Sequence, residues 1–590
     1  MRREIKQNRS RLIGAAMGRV QCDLTVTNVQ LFNVFTGEIY PAEVDILDGF
    51  VVQVRTEDQQ APMPAKETFD GEGNFLIPGY IDTHMHVEST LMIPENLSRA
   101  IMPWGTTTIC TDPHEIGNVM GVEGVKFMLE NGKKSKLRQY VLAPSCVPAV
   151  PALEGAGAAF LAKEVGEMLD MDDVIGIAEV MDYVNVQKDD ERMHTIVEEG
   201  IKRGMYLQGH APTVVGAPLA GYRLGGPRSD HESASTREVM EKLRMGMYVN
   251  VRASSMGERV QMLVDGFKDH RFNDFVTVCT DDVHAKDLLW EGHINRVVKK
   301  MIGCGIDGRD AIKMATLNAA REYKFDDLGA IAPGYVADMQ LVEALDGSRP
   351  LVVFAAGEIV AKEGKYVADD KMEGQYNFAN TVNAPQVSCA EDFYLKVPEG
   401  YDKDTITVNV IARTPGVFAR YFIPTELPVV DGHVDISSRE DLAFVVIANR
   451  YGSGRKSIGV YKDLGFGSGT YGTTVSHDSH NLTVVYRDVN DALEVANRLK
   501  EEGGGFCVKN EGVLTCCPLP VAGLMSQDCC EVISEKVEKV QEVLAKISGG
   551  KLQSVLCLSV LALPVCPGVI MTDKGIVDGE SQTFLSVFAK

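Results

Sequence analysis

Short apolar runs separated by Gly, Pro, Asn and Asp dominate the first half of the chain. Residues 24–29 and 45–54 alternate apolar and polar positions around turn residues. That period of two predicts antiparallel strands of a small β domain. The residues before it, 1 to about 20, read as a helical or loose leader with no signal-peptide apolar core. From Phe75 to about Phe325, strand-like runs alternate with helical stretches such as 124–130 and 236–243. The alternation predicts about eight βα units in about 250 residues, the size of a TIM barrel. The sixth strand is the weakest, marked only by 219–226 ahead of His231.

Beyond the barrel, 328–342 and 351–358 read as further strands that complete the small β domain, so its two parts flank the barrel in sequence and meet in space. The polar stretch 368–388 reads as a linker. Strand patterns at 405–411 and 442–448 and helical patterns at 491–499 and 531–548 then predict an α+β domain. The expected organisation is α/β: a (β/α)8 TIM-like barrel at 75–327, a small β-sandwich built from 1–74 and 328–385, and a C-terminal α+β domain at 386–590.

The chemistry gathers at predicted strand ends. Phe75-Leu76-Ile77-Pro78-Gly79-Tyr80-Ile81-Asp82-Thr83 leads into His84-Met85-His86. Strand side chains alternate faces, so His84 and His86 point the same way. Two converging imidazoles suit a zinc, iron or manganese ion. The other predicted strand ends carry Asp112 and His114, Glu179, His210, His231 and Asp281. Barrel enzymes place catalytic groups at the C-terminal ends of strands, and five of the 12 histidines fall there. The predicted metal ligands are His84, His86, Glu179, His210, His231 and Asp281. They hold one or two divalent ions, which lower the pKa of bound water. The predicted catalytic residues are Asp281 as proton acceptor, and His231 or Glu88 to orient the substrate.

Asp112, His114 and Asp282 are further candidates, each weighed against a capping or salt-bridging role; on a regular strand Asp282 faces away from Asp281. His477, Asp478 and His480 lie within four positions after a Gly-rich segment, and read as an active-site wall, a second metal site, or a polar turn. His86-Val87-Glu88 spells half of a cytidine-deaminase zinc signature, but the required Pro-Cys-x-x-Cys is absent. Gly467-Ser468-Gly469-Thr470-Tyr471-Gly472 lacks the strand–turn–helix context of a dinucleotide site.

Charge and composition narrow the partners. The 590 residues are 45% hydrophobic and 24% charged, with a net charge of -23. That acidity excludes nucleic acid as a bulk partner, and no apolar run is long enough for a bilayer. Thirteen scattered cysteines, some adjacent, read as free thiols in a reducing cytoplasm.

The strand-one segment resembles the amidohydrolase superfamily. The segments 111–121, 178–183 and 476–481 resemble its adenine deaminase branch in particular. The resemblance implies hydrolytic deamination of adenine to hypoxanthine and ammonia in purine salvage or catabolism. It also implies a binuclear centre of manganese or iron rather than zinc, and a cytoplasmic homodimer. Many related barrels carry a lysine where Glu179 stands here. The alternatives are another amidohydrolase acting on a cyclic amide or related heterocycle, and a non-catalytic descendant.

Overall fold

The computed structural model describes residues 2–589 apart from 57, 58, 60, 62, 371–375 and 414–418. Part of the predicted linker, 371–375, thus lies outside the described residues. Eight parallel strands form the barrel: β1 (Tyr80–Met85), β2 (Thr106–Thr111), β3 (Arg138–Ala143), β4 (Val174–Val180), β5 (Tyr206–Gly209), β6 (Ser229–Asp230), β7 (Tyr248–Ser254) and β8 (Val276–Cys279). Strands β1 to β5 make one sheet and β6 to β8 a second. The two arcs join through Arg228 N–H to the Leu207 carbonyl at 2.9 Å and Asp281 N–H to the His84 carbonyl at 3.0 Å. Every residue of β1 and β2 is buried, as expected of parallel strands covered on both faces.

The covering helices follow local rules. In Glu191–Lys202 the buried positions are Met193, Ile196, Val197 and Gly200, a single stripe at helical spacing. The Asp190 side chain caps its start by accepting from Arg192 N–H. In Thr236–Arg244 the Ser235 hydroxyl accepts from Glu238 N–H, the first half of a capping box. The predicted sixth strand is displaced. Residues 219–226 fall largely within the helix Gly216–Leu224, and the strand itself is only Ser229–Asp230.

Strand Phe75–Pro78 pairs with Met339–Val342 antiparallel and with Leu24–Phe32 in parallel. The segments before and after the barrel are thereby hydrogen-bonded into one nine-stranded sheet. Val26, Leu31, Val44, Leu76, Met339 and Phe354 are buried on it. A second nine-stranded sheet, between Thr405 and Pro518, carries helices Val489–Glu501 and Cys530–Ile547. Within it Cys507 and Cys516 face each other across a hairpin and are joined by a disulfide. That pair departs from the free-thiol reading, because register brings together two cysteines that are nine positions apart. Among the described residues no helix is long and apolar enough to cross a membrane.

The C-terminal part is clamped to the barrel mouth. Asn481 Nδ2 donates to the Gly155 carbonyl at 2.8 Å, Ser526 N–H to the Leu91 carbonyl at 2.8 Å, and Thr572 Oγ1 to the Leu153 carbonyl at 2.6 Å.

Beneath the mouth, Lys242 is fully buried. Its Nζ donates to Asp230 Oδ2 and the Ala211 carbonyl, both at 2.8 Å, and to Ser233 Oγ at 3.1 Å. One ammonium thus ties together the loops that carry His210 and His231. Removing one partner of a buried ion pair leaves the other charge uncompensated. Lys242→Met is expected to lower unfolding stability by about 3–5 kcal/mol, measured by urea denaturation; a loss below about 1 kcal/mol would refute this reading.

Candidate metal centre

His84 and His86 leave β1 on one face, as the alternation predicts. The His84 Nδ1 contacts Gln208 Oε1 at 3.1 Å, and the His86 Nδ1 contacts the Asp112 carbonyl at 3.0 Å. Each ring is therefore fixed with Nε2 turned inward. Those atoms meet Asp281 Oδ1 at 3.4 and 3.3 Å, and His86 Nε2 lies 3.4 Å from Glu179 Oε1.

Glu179, at the end of β4, is the hub. Its Oε2 lies 2.5 Å from His210 Nδ1 and 3.2 Å from His231 Nε2. Its Oε1 also faces His114 Nδ1 at 3.7 Å. Asp281 follows β8 with a left-handed φ of 58°. That strained conformation is rare outside glycine, Asn and Asp. It lets the Asp281 backbone bridge β1 from both sides, since its carbonyl also accepts from His86 N–H at 3.3 Å.

Burial shapes the charges. It penalises the Glu179 carboxylate, yet His210, His231 and His86 outweigh that and hold its pKa well below the ordinary range. Burial likewise disfavours ionised Asp281, but Arg252, His84 and His86 keep its pKa far down. Burial lowers the pKa of His84, reinforced by His231. His210 is pushed to about 9, because Glu179 outweighs its desolvation. Two ionised carboxylates thus sit within a ring of imidazoles, and His84 Nε2 is buried without a hydrogen-bond partner. Those donors fit a divalent cation: oxygen and imidazole nitrogen, with no thiolate.

The remaining candidates divide. Asp112 Oδ2 contacts His114 Nδ1 at 2.9 Å, and its carbonyl holds His86. Asp282 was expected to face away; instead the left-handed turn at Asp281 ends the alternation, and Asp282 lines the same cavity while accepting from Ser89 Oγ at 2.5 Å. Glu88 does not reach the cavity wall. The chain turns into the 3-10 helix Glu88–Thr90, and Oε1 accepts from Ile116 N–H at 3.2 Å. Burial and neighbouring Glu115 push its pKa to about 8. That corrects the substrate-orienting role expected of it.

His477 and Asp478 do line the cavity, together with Glu179 and His231. His480 does not: it is fully buried behind them. Glu115, His477 and His480 lie close enough to hold an ion, but Ser476 N–H donates to His480 Nδ1 at 3.2 Å. That leaves the proton of a neutral ring on Nε2, the atom a metal would need.

The cavity measures about 180 Å³ and is roofed by Val560, Leu563, Val565 and Pro567 of the C-terminal part. Sequence reasoning did not find this apolar roof, nor Arg252. Arg252 Nη1 donates to Asp281 Oδ2 at 2.6 Å and pairs with Glu232. Its place near the end of β7 was the available signal.

Two family models match the chain: the amidohydrolase family over residues 75–360, and the adenine deaminase C-terminal domain over 422–583. Adenine deaminase 2 of Carboxydothermus hydrogenoformans is 34% identical over 98% of this chain and 99% of its own length. The adenine deaminase of Clostridium acetobutylicum is 32% identical over 97% and 99%, and that of Bacillus pumilus 34% over 98% of both. The likeness runs through the barrel, the flanking sheet and the roof together, and the chain belongs to the adenine deaminase family of the amidohydrolases.

Proposed function

We propose that the protein hydrolyses adenine to hypoxanthine and ammonia at the cavity around Glu179. The observation that carries this is the convergence of His86, His210 and His231 with Glu179 and Asp281 on one cavity, with His84 against Asp281, in a chain of this family. No feature of the site favours the cyclic-amide alternative.

His84, His86, Glu179, His210, His231 and Asp281 would hold one or two divalent ions. Carboxylate and imidazole without thiolate suit manganese, iron and zinc alike; manganese or iron is the choice the family resemblance implies. When bound, such ions supply Lewis-acid activation of water near neutral pH. Asp281 Oδ1, aimed into the cluster, accepts a proton from the attacking water and passes it to the substrate. The C6–O bond forms, the C6–N bond breaks, and the amino nitrogen leaves as ammonia. Arg252 holds Asp281 through its other oxygen, which keeps Oδ1 directed at the reacting centre. The apolar roof gives a flat heteroaromatic ring a surface to lie against.

Protein loaded with Mn2+ should convert the ultraviolet spectrum of adenine to that of hypoxanthine with equimolar ammonia, and chelation should abolish the change. An unchanged spectrum with metal bound would defeat the assignment. Asp281→Asn should reduce kcat by about 10²–10⁴-fold while Glu179→Gln should reduce bound metal; elemental analysis beside kinetics separates the two. Adding Mn2+ to chelated protein should stabilise it by about 2.7 kcal/mol at a hundred times the dissociation constant, seen as a rise in Tm. A Tm that ignores the metal would show that these donors do not bind it.

A further inference from the structure

The loop Ser476–Asn481 comes from the C-terminal part, yet it sends two polar side chains into the barrel's cavity. His477 and Asp478 are 5% and 2% exposed. Each has one end committed and one end free. Asp478 Oδ1 faces His114 Nε2 and His477 Nδ1, both at 3.6 Å. His477 Nδ1 also faces Glu115 Oε1 at 3.3 Å. Asp478 Oδ2 and His477 Nε2 are buried with no hydrogen-bond partner at all. A buried carboxylate oxygen without a donor carries a desolvation penalty that a ligand N–H would relieve.

The loop is held rigidly where it stands. His477 N–H donates to the Ser559 carbonyl at 2.8 Å, and the Tyr451 hydroxyl to the Ser479 carbonyl at 2.7 Å. Asn481 reaches the barrel at Gly155. Groups fixed in this way are already placed for a ligand, so little order is lost on binding.

Position decides which part of the substrate they meet. The reacting carbon must lie against Glu179 and Asp281. Asp478 stands beyond His114, one imidazole ring further from Glu179. A purine with C6 at the donor cluster has room to turn its five-membered ring toward the loop. An ionised carboxylate can only accept hydrogen bonds, so it needs an N–H there.

We propose that Asp478 and His477 read the imidazole edge of the purine: Asp478 Oδ2 accepts from its ring N–H, and His477 Nε2 meets its other ring nitrogen. This rests on the deaminase reading. A substituent on the ring nitrogen removes the hydrogen and leaves Asp478 buried and unpaired. Asp478 is then the residue that rejects N9-substituted purines.

The test compares adenine with 9-methyladenine in the Mn2+-loaded full-length protein, using wild type, Asp478→Asn and Asp478→Ala. Bound metal and Tm are measured for each. The carboxylate variants should lose about 10- to 100-fold in kcat/KM for adenine, the worth of one hydrogen bond to a charged group. The loss should lie mainly in KM. Activity on 9-methyladenine should not fall with it, and in the alanine variant, which also opens space, it should rise. The preference for adenine therefore shrinks by at least the factor lost. A variant that is merely misfolded would lower both substrates together and leave the preference intact, and that result would overturn the proposal. His477→Gln should lower adenine turnover without restoring 9-methyladenine; unchanged kinetics would likewise overturn its role. Wild-type protein that binds metal but leaves adenine unchanged would instead bring down the deaminase reading itself.

Discussion

Glu179 is the constraint on which the site depends. A carboxylate buried this deeply is tolerable only when surrounded by positive or hydrogen-bonding partners. Here the partners come from four different strand ends: His86 from β1, His114 after β2, His210 after β5 and His231 after β6. None of them is near Glu179 in sequence. Only a closed ring of parallel strands brings them together, so the electrostatics of the centre and the closure of the barrel stand or fall as one. The backbone hydrogen bonds of Asp281 with His84 and His86 help join the end of β8 to β1, which puts part of the barrel's seam inside the site.

The second dependence runs between domains. The barrel supplies the donors but not the whole cavity. The rest comes from His477, Asp478 and the apolar segment around Leu563. Contacts such as Asn481 to Gly155 and Thr572 to Leu153 fix this roof to the loop after β3. A small displacement of the roof would therefore change how substrate lies without disturbing any metal donor.

Much of this was readable in the sequence, and the misses have physical reasons. His84 and His86 were legible because the period of two is local, and Glu179, His210, His231 and Asp281 because barrel strands end where chemistry is placed. The alternation misled wherever the strand stopped: at Glu88, where a 3-10 turn takes the side chain away, and at Asp282, where one left-handed residue turns it back. The sixth strand was missed because two residues show no periodicity. Arg252 is marked only by its place near the end of β7, since its partners Glu232 and Asp281 lie on other loops. The roof residues look like ordinary core until the fold shows a cavity beneath them.

The order of these parts along the chain has a consequence for how the protein comes into being. The donors end at Asp281, whereas the last roof residue is Pro567. At translation rates of about 5–20 residues per second, the roof follows the donors by on the order of ten to sixty seconds. During that interval the donor side chains lack the part of the cavity wall that His477, Asp478 and the segment 560–567 supply.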